Sequence, residues 1–225
     1  LPHTPAMATT TSPELIDALC RYFTGKKVKR LIITDHTLQK ASGFEDVEAV
    51  KVADKYPGVK IVLANEQRYF EPVEVPGRVL KRTEVLKLLS RADLVVNVAT
   101  AKHHSATSVS LAAKNLMGVI WNRGWWHKNG LHQCIADFGT FIKPTWCVVD
   151  ATRIMLDRGP KGPSENMKKP DLLIVSTDQV AVDAYTATLF PEATAARAKY
   201  IQMAASMGLG CADLSRMAIH KIEVD

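Results

Sequence analysis

Apolar positions recur along the chain in two rhythms, one of helices and one of short buried strands. Ser12-Pro13-Glu14 reads as a helix start, with Ser12 as N-cap and Pro13 in the first turn. Leu15, Ile16, Leu19, Tyr22 and Phe23 then follow at helical spacing as far as Gly25. Val28 to Thr34 is a short apolar run ending in Asp35-His36, the pattern of a parallel strand with a polar tip. Phe44 to Tyr56 reads as helix and Val59 to Ala64 as strand. Glu71 to Gly77 holds two prolines among alternating valines, which suits an edge strand or a loop.

Further along, Lys81 to Ser90 reads as helix, Leu94 to Val98 as a buried strand, and Ser105 to Leu116 as a helix with Gly118 near its end. Trp121 to Asn129 reads as an irregular loop and Leu131 to Ile142 as helix. Trp146 to Asp150 is a second buried strand, and a turn-rich loop, Gly159 to Pro163, comes after it. Leu172 to Ser176 reads as strand, and Gln179 to Leu189 and Ala193 to Met207 as helices. The alternation from Met217 to Val224 suits a closing edge strand. Strands alternating with helices over short connections predict an α/β fold with a mainly parallel or mixed sheet and helices on both faces. No G-x-G-x-x-G follows any strand, so the Rossmann-like alternation lacks a dinucleotide fingerprint. One α/β domain over residues 1–225 is expected, with a division into two lobes near Glu71 to Gly77 as the variant.

Bulk properties narrow the function classes. With 47% hydrophobic and 23% charged residues the chain has the composition of a folded globule. A net charge of +6 points to an anionic partner, but the basic residues are scattered and not interleaved with aromatics. That pattern favours a small anion over nucleic acid. No apolar run reaches the roughly 20 residues of a membrane span. Cys20, Cys134, Cys147 and Cys211 are far apart, without the local spacing of a zinc ribbon or an iron–sulfur motif.

The candidate chemistry gathers between Ala99 and His132, which holds four of the seven histidines. His36, His103-His104, Asp150 and Ser176-Thr177-Asp178 all fall at strand ends, where open α/β sheets bind ligands. His104, Lys114 and Asp150 are the candidate catalytic residues, as base or ligand, anion clamp and orienting carboxylate. Lys102, Asn115, Asn122, Arg123, Arg153, Asp178 and Asp183 are the candidate ligand-binding residues, and His103, His104, His127 and His132 the candidate metal ligands. Structural readings stand beside these: Asp178 as a helix cap, His103 as a surface histidine, Trp125 and Trp126 as core plugs instead of a ligand lid. A helix starting at Ser105 would offer its free N–H groups to an anion beside His104. The sequence lacks a phosphate-binding G-x-x-x-x-G-K-[ST] loop and a G-x-S-x-G elbow.

Ala8 to Glu14, Ala101-Lys102-His103-His104, Lys114-Asn115-Leu116-Met117-Gly118, Asn122-Arg123, Leu131-His132, Lys143-Pro144, Val149-Asp150-Ala151, Gly159-Pro160 and Thr177 to Asp183 together resemble the family called "domain of unknown function 362". The resemblance spans nearly the whole chain, to Gly208-Leu209-Gly210. It implies a prokaryotic α/β protein, with a first strand ahead of Leu1. Many such proteins carry ferredoxin-type cysteines or a twin-arginine export signal. The missing cysteine cluster argues against an iron–sulfur centre in this chain, and the expected compartment is the cytoplasm unless an export signal precedes Leu1. The order His104, Lys114, Gly118 and His127 or His132 is also faintly similar to lactate racemase-type nickel-pincer enzymes, without their paired glycines. Two function classes follow. One is an enzyme, with a divalent metal or a His/Asp pair, acting on a small anionic substrate. The other is a non-catalytic cofactor-binding module or redox partner protein.

Overall fold

A computed structural model describes residues 5–37, 48–160 and 162–224. Helix α1 (Pro13–Gly25) begins where Ser12 and Pro13 predict it. Strands β1 (Leu31–Asp35) and β2 (Val59–Leu63) pair in parallel, with α2 (Glu48–Ala53) between them. Positions 44–47 of the expected second helix lie outside the described residues. Ile16, Cys20 and Val52 form a small core against Leu31, Ile33 and Val59.

The expected helix at Lys81 to Ser90 is a strand instead. β3 (Phe70–Glu74) and β4 (Arg82–Leu86) form an antiparallel hairpin, with Pro72 opposite Glu84. Val85 and Leu86 at the end of β4 are both buried. The hairpin tip is tied down by Asp137, whose carboxylate accepts from Val79 N–H (2.7 Å) and Leu80 N–H (2.8 Å).

The main sheet has the order β6-β5-β7-β8, with β9 also on β7. β5 (Val96–His104) and β7 (Trp146–Met155) run parallel, while β6 (Ser108–Ser110), β8 (Met167–Lys168) and β9 (Leu172–Ser176) pair antiparallel. The architecture is therefore α/β on a mixed sheet. α3 (Ala112–Asn115), α5 (Leu131–Phe138), α6 (Gln179–Ala187) and α8 (Lys199–Ser206) supply the large core with β5 and β7. Phe23 of α1 packs on Trp146 with ring centroids 5.9 Å apart.

Four further differences bear on the site. β7 continues five residues past Asp150, so Asp150 is mid-strand, opposite Thr100. The chain after His104 turns back as the β5–β6 hairpin and not as a helix, and only Ala112–Asn115 is α-helical. The expected loop at Trp121 to Asn129 contains α4 (Arg123–Lys128), started by Asn122, whose Oδ1 accepts from Trp125 N–H at 3.1 Å. Because β9 opposes β7, with Ser176 level with Cys147, Asp178 lies at the other end of the sheet from His104.

The last expected helix is split into α7 (Glu192–Ala195) and α8, where Ala198 leaves helical ψ and lets both Ala198 and Tyr200 enter the core. Met217 to Val224 forms no strand. It has no partner strand among the described residues, and Ile222 and Val224 are almost fully exposed.

Candidate functional site

The carboxyl ends of β1 and β5 bring together side chains that are distant in sequence. The turn after β5 holds His104 in one tautomer: its Nδ1 accepts the Ala106 N–H at 3.1 Å, leaving the proton on Nε2. Burial, with Lys114, His127, Lys102 and His103 nearby, pushes His104 down to about 3. This imidazole therefore stays neutral at physiological pH and presents an N–H to the site. His127, near the end of α4, lies with its ring centroid 6.5 Å from that of His104, and burial also lowers its pKa.

The hairpin returns the chain to α3, and two buried groups from other elements fix that short helix. Asp183 of α6 accepts from Ala112 N–H (2.8 Å) and Ala113 N–H (3.0 Å). The Asn97 amide donates to the Ala112 carbonyl at 2.7 Å, and the Asn115 amide donates to Asn97 Oδ1 at 2.9 Å. So held, α3 places the Lys114 ammonium close enough to His104 to depress its pKa. Lys114 is only 9% exposed, and its Nζ has Met117 Sδ, 3.7 Å away, as its hydrogen-bond partner. Burial first, then Lys102 and Arg123, lowers the Lys114 pKa to about 8.

Lys102 differs in its company. Its Nζ donates to the carbonyls of Thr9 (3.3 Å) and Thr100 (3.5 Å), and Asp35 and Asp150 partly offset the burial that lowers its pKa to about 8. Asp150, 2% exposed, is itself occupied: Oδ2 accepts from Ser12 N–H at 2.8 Å and Oδ1 from Thr152 N–H and hydroxyl. It fastens the N-terminal segment across β7. That segment brings Thr10, whose buried hydroxyl has no partner.

Arg123 begins α4, and its Nε and Nη2 are buried without hydrogen-bond partners. These two atoms are one edge of the guanidinium fork that grips carboxylate or phosphate bidentately. Asp35, at the tip of β1, lies near enough for its charge to be felt, yet no ion pair among the described residues involves Asp35, Arg123, Lys102 or Lys114. Burial raises the Asp35 pKa, opposed by Arg123, Lys102 and the His36 N–H. Asp35 packs directly on Gly118, where any Cβ would overlap its Oδ1. Beside it, His36 donates from Nδ1 to the Ile120 carbonyl at 2.8 Å and stacks on Trp121. Three basic side chains, the His104 and His127 imidazoles and the Asp35 carboxyl thus converge, with the Asp150 carboxyl beside Lys102, so that three cations face two carboxyls.

The family model described as Domain of unknown function (DUF362) matches residues 1–188. The chain belongs to that family. Its match takes in every residue of the cluster. No curated protein and no solved structure matches the chain. The comparisons lend no support to the fainter likeness to lactate racemase-type enzymes.

Several residues expected at the site of this family member serve elsewhere. His103 accepts the Gly159 N–H on Nδ1 at 3.0 Å, with Asp157 3.7 Å from Nε2, and so pins the loop after β7. Lys161 of that loop lies outside the described residues. His132 accepts the Tyr200 N–H at 3.3 Å and stacks on the Tyr200 ring. Asp178 caps α6 through Val180 N–H and Ala181 N–H and also accepts from Cys211 N–H. Asp183 and Asn115 support α3, and Asn122 starts α4. Arg153 makes no hydrogen bond or ion pair among the described residues. Trp126 plugs the core against Phe138, whereas Trp125 is 40% exposed.

Among the described residues no group of three or more His, Cys, Asp or Glu side chains is placed to hold a metal ion, so the four candidate histidines do not converge. The four cysteines are free, and burial pushes Cys134 to about 11 and Cys147 to about 12. No helix among the described residues is long and apolar enough to cross a membrane. Sequence reasoning passed over Asp35 and Thr10. Asp35 had a signal, its position as the last residue of an apolar strand. Thr10 had one too, its place in the Ala8 to Glu14 stretch that carries the family resemblance.

Proposed function

We propose that the cluster binds a small anion, a carboxylate or phosphate, on which the protein acts as an enzyme. One observation carries the reading: Arg123 Nε and Nη2 are buried and unpartnered beside Lys114, whose buried ammonium faces no carboxylate at ion-pair distance. Buried donors and charges left without partners cost stability. An anion bound between them supplies the acceptors and the missing charge. His104 then donates from Nε2 to a substrate oxygen, and Asp35, with its raised pKa, is the group able to carry a proton at the site.

His104 and His127 offer two imidazoles with no third donor among the described residues, so the reading rests on the anion and not on a metal. A second reading, a binding or redox-partner module without turnover, is favoured by Trp125, exposed on α4 next to Arg123. Thermal unfolding with added phosphate, pyruvate and lactate tests the first reading. The wild type should gain stability with at least one anion and the Arg123→Gln variant with none. Equal response of both proteins would overturn it. Binding without chemical change in any ligand, together with loss of a protein partner on Trp125→Ala, would favour the second.

A further inference from the structure

We infer that Lys114 forms an imine with the carbonyl carbon of a 2-oxo acid whose carboxylate is held by Arg123. This rests on the anion-site reading and names its substrate class. Two lysines reach the cluster, and their surroundings separate their roles. The Lys102 Nζ is already engaged, donating to the Thr9 and Thr100 carbonyls. Lys114 meets a thioether instead, with Lys102 and Arg123 as its charged neighbours and two neutral imidazoles at hand. A buried amine beside other cations is the arrangement that activates lysine as a nucleophile. Burial brings both lysines to about 8, where the free-amine fraction near neutral pH is about two orders of magnitude above that of an ordinary lysine, and Lys114 is the one whose nitrogen donates to no carbonyl.

Arg123's open edge fits the carboxylate of a 2-oxo acid, and the carbonyl is then the adjoining carbon, the atom an amine attacks. The Lys114 nitrogen forms the C–N bond with its lone pair, and the carbonyl π pair moves to oxygen. That oxygen leaves as water with one of the two amine protons and one proton from Asp35. A protonated imine and an Asp35 carboxylate remain. No oxidant or further reactant is needed, and water reverses the step.

Borohydride trapping with pyruvate as the probe tests this on the full chain. Pyruvate and protein are mixed near neutral pH and reduced, and modified lysines are located by peptide mass mapping. The expected result is one reduced pyruvate adduct per chain, at Lys114 and not at Lys102, abolished in Lys114→Arg and suppressed by excess inorganic phosphate. An adduct absent from Lys114, or no more frequent there than at exposed lysines, while phosphate still binds in an Arg123-dependent manner, overturns the imine and leaves the anion site standing. Failure of phosphate and pyruvate to bind at all removes both. The wild-type map decides the matter even if a variant fails to fold.

Discussion

Replacing Lys114 with methionine should make the unliganded protein more stable while abolishing anion binding. The Lys114 pKa falls from 10.5 to about 8 because its ammonium is buried beside Lys102 and Arg123. That depression corresponds to about 3 kcal/mol against the charged form, at about 1.4 kcal/mol per pKa unit. The unfolded chain binds the proton more tightly, so between pH 8 and 10.5 it holds more protons than the native state and stability rises with pH. Below pH 8 the full cost is present. Methionine keeps an unbranched apolar stem one atom shorter than lysine, and Met117 is already its neighbour. Urea unfolding without phosphate should therefore show Lys114→Met stabilised by about 1–3 kcal/mol at pH 7, the range allowing for lost helix and packing contacts. Between pH 7 and 9 the wild type should gain about 1 kcal/mol from Lys114 that the variant lacks. Saturating phosphate should stabilise only the wild type, by about 2.7 kcal/mol at a hundred times the Kd. A variant less stable than the wild type at pH 7 without anion, or one that keeps the phosphate response, would refute the reasoning.

Affinity for lactate, which has no carbonyl for Lys114 to attack, should show no step from His104 between pH 5 and 7 when measured by calorimetry, because His104 titrates far below that window, and should fall above pH 8 as Lys102 and Lys114 lose their protons. A histidine-like step near pH 6.5 would contradict the assignment of a neutral His104. Gly118→Ala should displace Asp35 and cost about 1–3 kcal/mol in chemical unfolding; a variant of unchanged stability and anion affinity would argue against that close packing. Asp150→Asn removes a charged acceptor shared by Ser12 and Thr152 and should cost about 1–3 kcal/mol. It should also speed proteolysis before α1, and an unchanged digestion pattern would remove the anchoring role.

The beginnings of β5 and β7 were legible as apolar runs of buried type, and α1 because Ser12-Pro13 marks its start, but β5 runs on to His104 and β7 to Met155, past the end of each apolar run. The sequence reading also grouped His104, Lys114 and Arg123, and in the structure Lys114 lies within electrostatic reach of both others. Their geometry came from elements that sequence periodicity misread. Ser105 to Ser110 makes a hairpin whose turn is closed by Thr107 N–H to the His104 carbonyl, a local bond that hydrophobic spacing does not report. That reversal, and not a long helix, returns Lys114 to His104. Asp178 was misplaced because strand direction is a tertiary property: an apolar run such as Leu172 to Ser176 reads alike whether it lies parallel or antiparallel to β7. Asp183 and Asp150 were expected to serve chemistry, but buried carboxylates need donors, and each is taken up by backbone N–H groups of a distant segment. Their roles were visible only once those segments were brought alongside.

Arg123 offers an anion two parallel donors, a geometry that lysine cannot reproduce. Calorimetric titration of inorganic phosphate into the wild type, Arg123→Lys and Arg123→Gln separates that geometry from charge alone. One site per chain is expected in the wild type, with both variants weakened by about tenfold or more although Arg123→Lys keeps the charge. Affinity fully retained in Arg123→Lys would contradict the two-donor geometry, and affinity retained in Arg123→Gln would remove Arg123 from the site altogether.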